Sequence, residues 1–353
     1  MKMEDVARLA NVSKSAVSLA FSGKSGIGSD TRARILQVAE EVGYVPRSRT
    51  TGAAAVAAVK VERSLMFLVC TNSGIVLEQY YQQPFFKELI HFVEERCRQN
   101  GYSLMFSTID VEFFERDTQV IREEKRSDGV IVLGTNLTRA QIHDIHEKLP
   151  NLIVLDTCFE TLPVQFIEIN NVMGAYQAGA YLCNIGHTSI GYIASNVRIH
   201  NFNERRRGFM LALQERGIDI PEERILAVAP TILTSQDALK QQLTAYLDKG
   251  YTLPTAWFCE CDYIAISAMK TLGELGIRVP EDTSVIGFDN INESLIVSPE
   301  LTTIHVEKER MAALAVDLLS EFIEHGRRVT AKITVDTHFV ERKSCAAPVS
   351  YKH

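Results

Sequence analysis

The 353-residue chain has one tryptophan, Trp257, and no apolar run near the ~18–20 residues that a membrane span requires. It has no Walker A loop, no G-x-S-x-G elbow and no dinucleotide fingerprint following a strand. Those absences remove the common signatures of phosphoryl transfer, serine hydrolysis and hydride chemistry. A sugar-modifying α/β enzyme is therefore a distant alternative. Seven cysteines (70, 97, 158, 183, 259, 261 and 345) are odd in number and scattered through mostly apolar strings. They read as reduced, buried thiols. Cys259 and Cys261 form the only tight pair, and no nearby Cys or His completes a zinc set, so no metal and no cofactor is expected. His143 and His146 read as solvated. The first residues are charged and polar, without an apolar signal core, which suits a cytoplasmic protein.

What is present is a chain long enough for two or three domains, with 46% hydrophobic residues. Net charge is −7, and it is unevenly spread. Residues 1–50 hold eight Lys/Arg and five Asp/Glu, a balance of +3, which leaves −10 for the remainder. A basic segment on an acidic core suits nucleic-acid binding, because neutralising phosphates supplies most non-specific affinity for DNA.

The basic segment reads as three short helices. The first covers about Glu4 to Ala10, with Val6, Ala7, Leu9 and Ala10 as its apolar set. Asn11 and Val12 make a turn, and Ser13 stands where a helix N-cap belongs. The second runs to about Ser22, with Ala16, Val17, Ala20 and Phe21 spaced for burial, and Gly23 stops it. The third covers about Asp30 to Val42, with Ala33, Ile35, Leu36, Val38 and Ala39. This is the size of a helix-turn-helix headpiece; an ordinary helical cap has the same periodicity. Residues 46–64 are rich in small residues, with Arg47 and Arg49 at the start. They read as a linker with a short helix over about Gly52 to Val59.

From residue 65 the pattern changes. Apolar strands (65–70, 102–108, 129–134, 152–156) alternate with helices, including one over 84–99, and a charged stretch lies at 115–126. The pattern restarts with strands at 166–170, 190–194, 225–228, 256–259 and 284–289, and helices at 172–184, 203–216, 235–248 and 262–275. Such alternation predicts parallel sheets covered on both faces, here two similar α/β lobes. A helix over about Lys308 to Ile323 and a strand at 332–342 follow.

Combined, D-V-A-R-L-A-N-V-S at 5–13, V-S at 17–18, T-R at 31–32 and G-Y-x-P at 43–46 resemble the headpiece of the lactose-repressor (LacI/GalR) family. The likeness extends over nearly the whole chain. It implies a transcriptional regulator, a repressor in type, with a core like a periplasmic sugar-binding protein. The implied division is a headpiece at 1–46 and a hinge at 47–63. One lobe then takes 64–165 with 294–326, the other takes 166–293 with 327–345, and 346–353 form a tail. The family's hinge orders on DNA and enters the minor groove; here Ala53 stands at the usual leucine wedge position, leaving Val56 or the two arginines to act.

The resemblance implies DNA contacts from Ser13, Lys14, Ser15, Ser18, Leu19 and Ser22, with Arg47 and Arg49 from the hinge. Lys14 can donate to guanine acceptors, whereas Leu19, where an Arg is frequent, can at most touch a thymine methyl. It implies an effector pocket between the lobes, at the carboxyl ends of strands. Phe85 and Phe86 would border the ligand, Arg205 would offer its fork of donors, and Asp289 would accept hydroxyls. Thr231 and Cys261 fall at the same place, and Asp262 is expected to cap the next helix. Tyr80 and Tyr81 could extend the aromatic wall, while Trp257 reads as core. Asp289→Ala is expected to abolish the effector response and leave the fold intact. Relatives sense sugars, sugar phosphates, purines or nucleosides; the aromatic, Arg and Asp set favours a sugar. The implied partners are a pseudo-palindromic double-stranded operator, the effector and a second copy of the chain, with no membrane.

Overall fold

The computed structural model describes residues 3–22, 26–41, 63–72, 74–76, 78–149, 151–232, 235–326 and 329–348. Arg47, Arg49 and the expected hinge helix lie outside these residues. The chain divides into two compact units, Met1–Val61 and Glu62–His353.

The first unit holds α1 (Met3–Leu9), α2 (Lys14–Ser22) and α3 (Ser29–Glu41). Asn11 makes the turn in a left-handed conformation, φ 52°, which asparagine tolerates well. Val6, Ala7, Ala10, Val17, Ala20, Ile35 and Ala39 form the core. The buried stripe is narrower than the sequence pattern suggests. Leu9 and Leu36 are exposed, because three short helices cover only one side of each other.

The second unit begins with β1 (Ser64–Thr71), α4 (Pro84–Gln99), β2 (Ser103–Asp110), α5 (Phe114–Glu124), β3 (Gly129–Leu133), α6 (Arg139–Lys148), β4 (Leu152–Leu155) and β5 (Gln165–Ile169). It continues with α7 (Asn171–Asn184), β6 (Ile190–Ser195), α8 (His200–Gln214), β7 (Ile225–Val228), α9 (Gln236–Asp248), β8 (Ala256–Cys259), α10 (Asp262–Glu274) and β9 (Ser284–Ile286). Last come α11 (Glu293–Ile296), β10 (Thr303–Val306), α12 (Lys308–His325), β11 (Lys332–Val335) and β12 (Thr337–Val340).

A parallel sheet has the order β11-β5-β4-β3-β1-β2, and a second has the order β7-β6-β8-β9. Helices cover both faces, so the inner strands are continuous apolar runs such as Leu65–Cys70. Trp257, on β8, is fully buried, as its apolar surroundings imply.

Two strand assignments differ from the sequence reading. The strand at 165–169 does not open the second sheet; it pairs with β4 and extends the first. The segment 332–342 is not one strand. It breaks at Asp336, whose carboxylate accepts from Asn170 Nδ2 at 2.8 Å. Before the break β11 joins β5 in the first sheet, and after it β12 runs antiparallel to β10. Residues 332–335 therefore belong with the first lobe's sheet. The charged stretch at 115–126 is mostly helix α5. Its amphipathic side is short, with only Phe114 and Thr118 buried, so charge dominates its composition.

Helices α7 and α8 approach so closely that a Cβ on Gly208 would stand 2.1 Å from the Val172 carbonyl oxygen. That approach sets the middle of α8 against the start of α7.

Candidate functional site

Two regions carry functional groups. In the first unit Ser13 Oγ accepts from the Ala16 N–H at 3.2 Å, capping α2 as its position implies. Ser13, Lys14, Ser15 and Ser18 are exposed along the first two turns of that helix. Leu19 is half-buried and lies against Gly26, where an added Cβ would meet its Cδ1 at 3.3 Å. It projects less than its neighbours. Ser22 ends α2.

In the second unit, strand ends from both parallel sheets face one small cavity. Its wall includes Phe85, Phe86, Thr135, Asp156, Asn201, Phe202, Arg205, Cys261, Tyr263 and Asp289. Its volume is about 40 Å³, room for little more than a water.

Arg205 is at the centre and is 3% exposed. Its Nη2 donates to Asp289 Oδ1 at 2.8 Å, its Nε to Asn171 Oδ1 at 2.9 Å and its Nη1 to the Glu260 carbonyl at 2.7 Å. The guanidinium also stacks 3.8 Å from the Phe288 ring centroid. This is a buried, oriented fork of donors, held by groups from three segments.

The hydrogen bonding continues outward. Asn171 Nδ2 donates to Asn201 Oδ1 at 3.1 Å, and Asn201 Nδ2 donates to Asp156 Oδ1 at 2.8 Å. Thr135 Oγ1 donates to the other Asp156 oxygen at 2.5 Å. One polar chain thus links Thr135 and Asp156, after β3 and β4, to Asp289, after β9. Burial pushes the Asp156 carboxyl up to about 6, against the pull of Thr135, Arg205 and Asn201. Asp289 is also raised by burial, with Arg205 opposing.

Phe85 and Phe86 pack edge-to-face, 5.6 Å between centroids, and both line the cavity. The Phe85 N–H, in the first turn of α4, donates to the Tyr263 hydroxyl at 3.0 Å. Cys261 also lines the wall, as a thiol raised by burial.

Other expected residues sit elsewhere. Pro230 lines the cavity, whereas Thr231 is a half-buried neighbour whose carbonyl accepts from Ser235 Oγ at 2.6 Å. Tyr80 is buried and Tyr81 exposed, and neither reaches the wall. Asp262 does not cap α10. Its carboxylate turns across to accept from Thr303 Oγ1 at 2.6 Å and from the Ile291 N–H at 3.0 Å, and burial pushes it up to about 8. Among the described residues no group of three or more His, Cys, Asp or Glu could hold a metal ion.

Sequence reasoning missed Thr135, Asp156, Asn171, Asn201 and Glu260. A signal existed for Asp156, since LIVLD ends a buried strand on a carboxylate just as VIGFD does at Asp289. Glu260 gave none. It is fully buried between the two cysteines, bonded by Tyr192, the Ser195 N–H and Arg198.

The chain matches the family described as bacterial regulatory proteins, lacI family, over residues 2–47, and a periplasmic binding protein-like domain over 180–345. It is 32% identical over 346 residues to the HTH-type transcriptional repressor PurR of Pasteurella multocida, covering 97% of this chain and 98% of that one. Two solved structures share the fold. The transcriptional regulator CelR–cellobiose complex has a TM-score of 0.70 at 23% identity, covering 98% of this chain and 99% of that one. The lac repressor dimer bound to operator and the anti-inducer ONPF has a TM-score of 0.68 at 22% identity, with the same coverage.

Proposed function

The chain belongs to the LacI family and is a DNA-binding transcriptional repressor, not an enzyme, and from that premise we propose that a small sugar bound between its lobes sets its operator affinity. The carrying observation is the opposed pair of buried carboxylates, Asp156 and Asp289, joined through Arg205, Asn171 and Asn201 beside Phe85 and Phe86. Carboxylates that accept hydroxyls, a guanidinium and aromatic faces suit a polyhydroxylated ring. A ligand that inserts here replaces bonds the protein makes to itself across the cleft. Its differential affinity for the two lobe arrangements then limits how far it shifts the repressor.

A purine or nucleoside is the second reading. The aromatic density of Phe85, Phe86, Phe202 and Tyr263 favours it, as does the likeness to repressors named PurR. Melting the full chain with ribose, cellobiose or guanine separates the two. A sugar is expected to raise the melting temperature and change operator affinity in a gel shift. A response to guanine alone puts the second reading in its place, and silence from all three removes the cleft as the effector site.

On the DNA side, two copies of the chain would present two headpieces to a pseudo-palindromic operator in the cytoplasm, as a dimer does in the lac repressor complex. No helix among the described residues is long and apolar enough to cross a membrane. Ser13, Ser15 and Ser18 would meet the backbone or neighbouring bases, and Lys14 a base edge. Arg47 and Arg49 would add phosphate or minor-groove contacts. Lys14→Ala is expected to weaken operator binding by ~1–3 kcal/mol, roughly five- to 150-fold, at fixed salt. An equal loss on unrelated DNA would make Lys14 a phosphate contact instead.

A further inference from the structure

Asp289 sits in an uncommon backbone conformation. Its φ is 117° and that of Asn290 is 50°, two successive non-glycine residues in the left-handed half of conformational space. Such a corner persists only where its surroundings over-determine it. Here the Asp289 N–H donates to the Ile304 carbonyl at 2.8 Å, and Lys308 Nζ reaches the Asp289 carbonyl at 3.2 Å. The Asn290 N–H also donates to Thr303 Oγ1 at 3.4 Å, and the Asn290 side chain adds a further hold.

The orientation of that amide is decided by its partners. Arg342 Nη2 donates to Asn290 Oδ1 at 2.6 Å, and Ser294 Oγ donates to the same oxygen at 3.3 Å. The amide nitrogen therefore faces His305 Nδ1, 2.9 Å away. An NH₂ group only donates, so Nδ1 must accept, and His305 must be neutral with its proton on Nε2. Protonating Nδ1 sets one donor against another. Rotating the amide to relieve this would turn its NH₂ onto the Arg342 guanidinium, again donor against donor.

We propose that neutral His305 is a positioning residue for Asp289, acting through Asn290, and that a proton taken up at Nδ1 releases the corner and weakens effector binding. The link to effector rests on the cleft being the effector site.

The groups around the imidazole have opposing effects. Burial and the Lys308 ammonium hold His305 below the ordinary imidazole value. Glu307 and Glu88 pull upward, and His338 pushes down. Glu307 does not neutralise the disadvantage, because its carboxylate is 3.7 Å from His305 Nε2 and is engaged by His338 Nε2 at 2.5 Å. A folded state that binds the proton less tightly than the unfolded chain gains stability as pH rises. The hold on the corner is complete well above the ordinary imidazole value and fades as pH falls through the lowered one.

The test is deuterium uptake by residues 287–292 of the full chain at pH 7.5 and pH 5, corrected for intrinsic exchange. Protection is expected to fall severalfold at pH 5, because the folded corner binds the proton less tightly than the unfolded chain does. His305→Asn keeps an oxygen where Nδ1 stood and cannot titrate, so its protection should not change with pH. The same pH dependence in this variant overturns the proposal. Arg342→Gln checks it independently. With the amide free to rotate, the His305 titration read by NMR moves upward, and an unmoved titration overturns the proposal as well. If ribose, cellobiose or guanine binds, its thermal shift should shrink at pH 5 in the wild type but not in His305→Asn; a binding ligand with an unchanged shift also overturns it. Silence from all three at both pH values counts against the effector reading alone, and the exchange result still decides the role of His305.

Discussion

Asp289→Ala is expected to abolish the proposed effector response and to lower the stability of the core by about 3–5 kcal/mol, the cost of removing one member of a buried ion pair. Arg205 and Asp289 side chains are 3% and 7% exposed, so alanine strands the guanidinium with water excluded. The sequence reading expected the fold to stay intact, because a carboxylate at a strand end could have been solvated. The structure places it under Arg205, and the expectation changes. Urea denaturation of the ligand-free variant measures the cost. Arg205→Met in the same background should recover part of it, since no buried charge is then left unpaired, although Asn171 Oδ1 and the Glu260 carbonyl lose a donor, while the effector response stays lost. An Asp289→Ala protein as stable as wild type would show that the pair is not buried in solution.

Gly208→Ala is expected to cost about 3 kcal/mol or more, and in many preparations to yield no folded core. The added methyl would meet the Val172 carbonyl oxygen at 2.1 Å, with the Val172 Cα and carbonyl carbon at 2.8 Å. All three are backbone atoms, so no rotamer change relieves the overlap and the two helices must separate. Separation would pull Arg205 from Asn171, whose bond crosses the same contact. The effector response therefore falls even in molecules that remain folded. Gly273→Ala is the control: it is also a helical glycine, but open space surrounds its Cβ position, and no loss is expected. Thermal melts of the two variants read the difference directly.

Much of this architecture was legible because it rests on short-range pattern. Apolar runs between helical periods marked the parallel strands, and Ser13 after Asn11–Val12 marked the turn and cap of α2. The motif around Arg205 and the strand ending in Asp289 pointed to two members of the cleft. Other features depended on partners distant in sequence. Strand β5 has the same composition whichever sheet it joins, and its placement follows from pairing with β4 and with β11, more than 160 residues later. Asp262 looked like a cap because capping is local; its actual partners are Ile291 and Thr303.

The sequence by itself determined that this chain carries a helix-turn-helix, an α/β core and an Arg and Asp set suited to a small polar ligand. Residue type and local spacing are sufficient for each of these. Only the tertiary structure decided that Asp156, Asn201 and Asn171 join Arg205 to Asp289, that α7 and α8 meet at Gly208, and that His305 lies behind the Asp289 corner. Each depends on which strand ends and helix starts converge. That convergence is set by the burial of the two sheets, a long-range outcome that no local window of the chain contains.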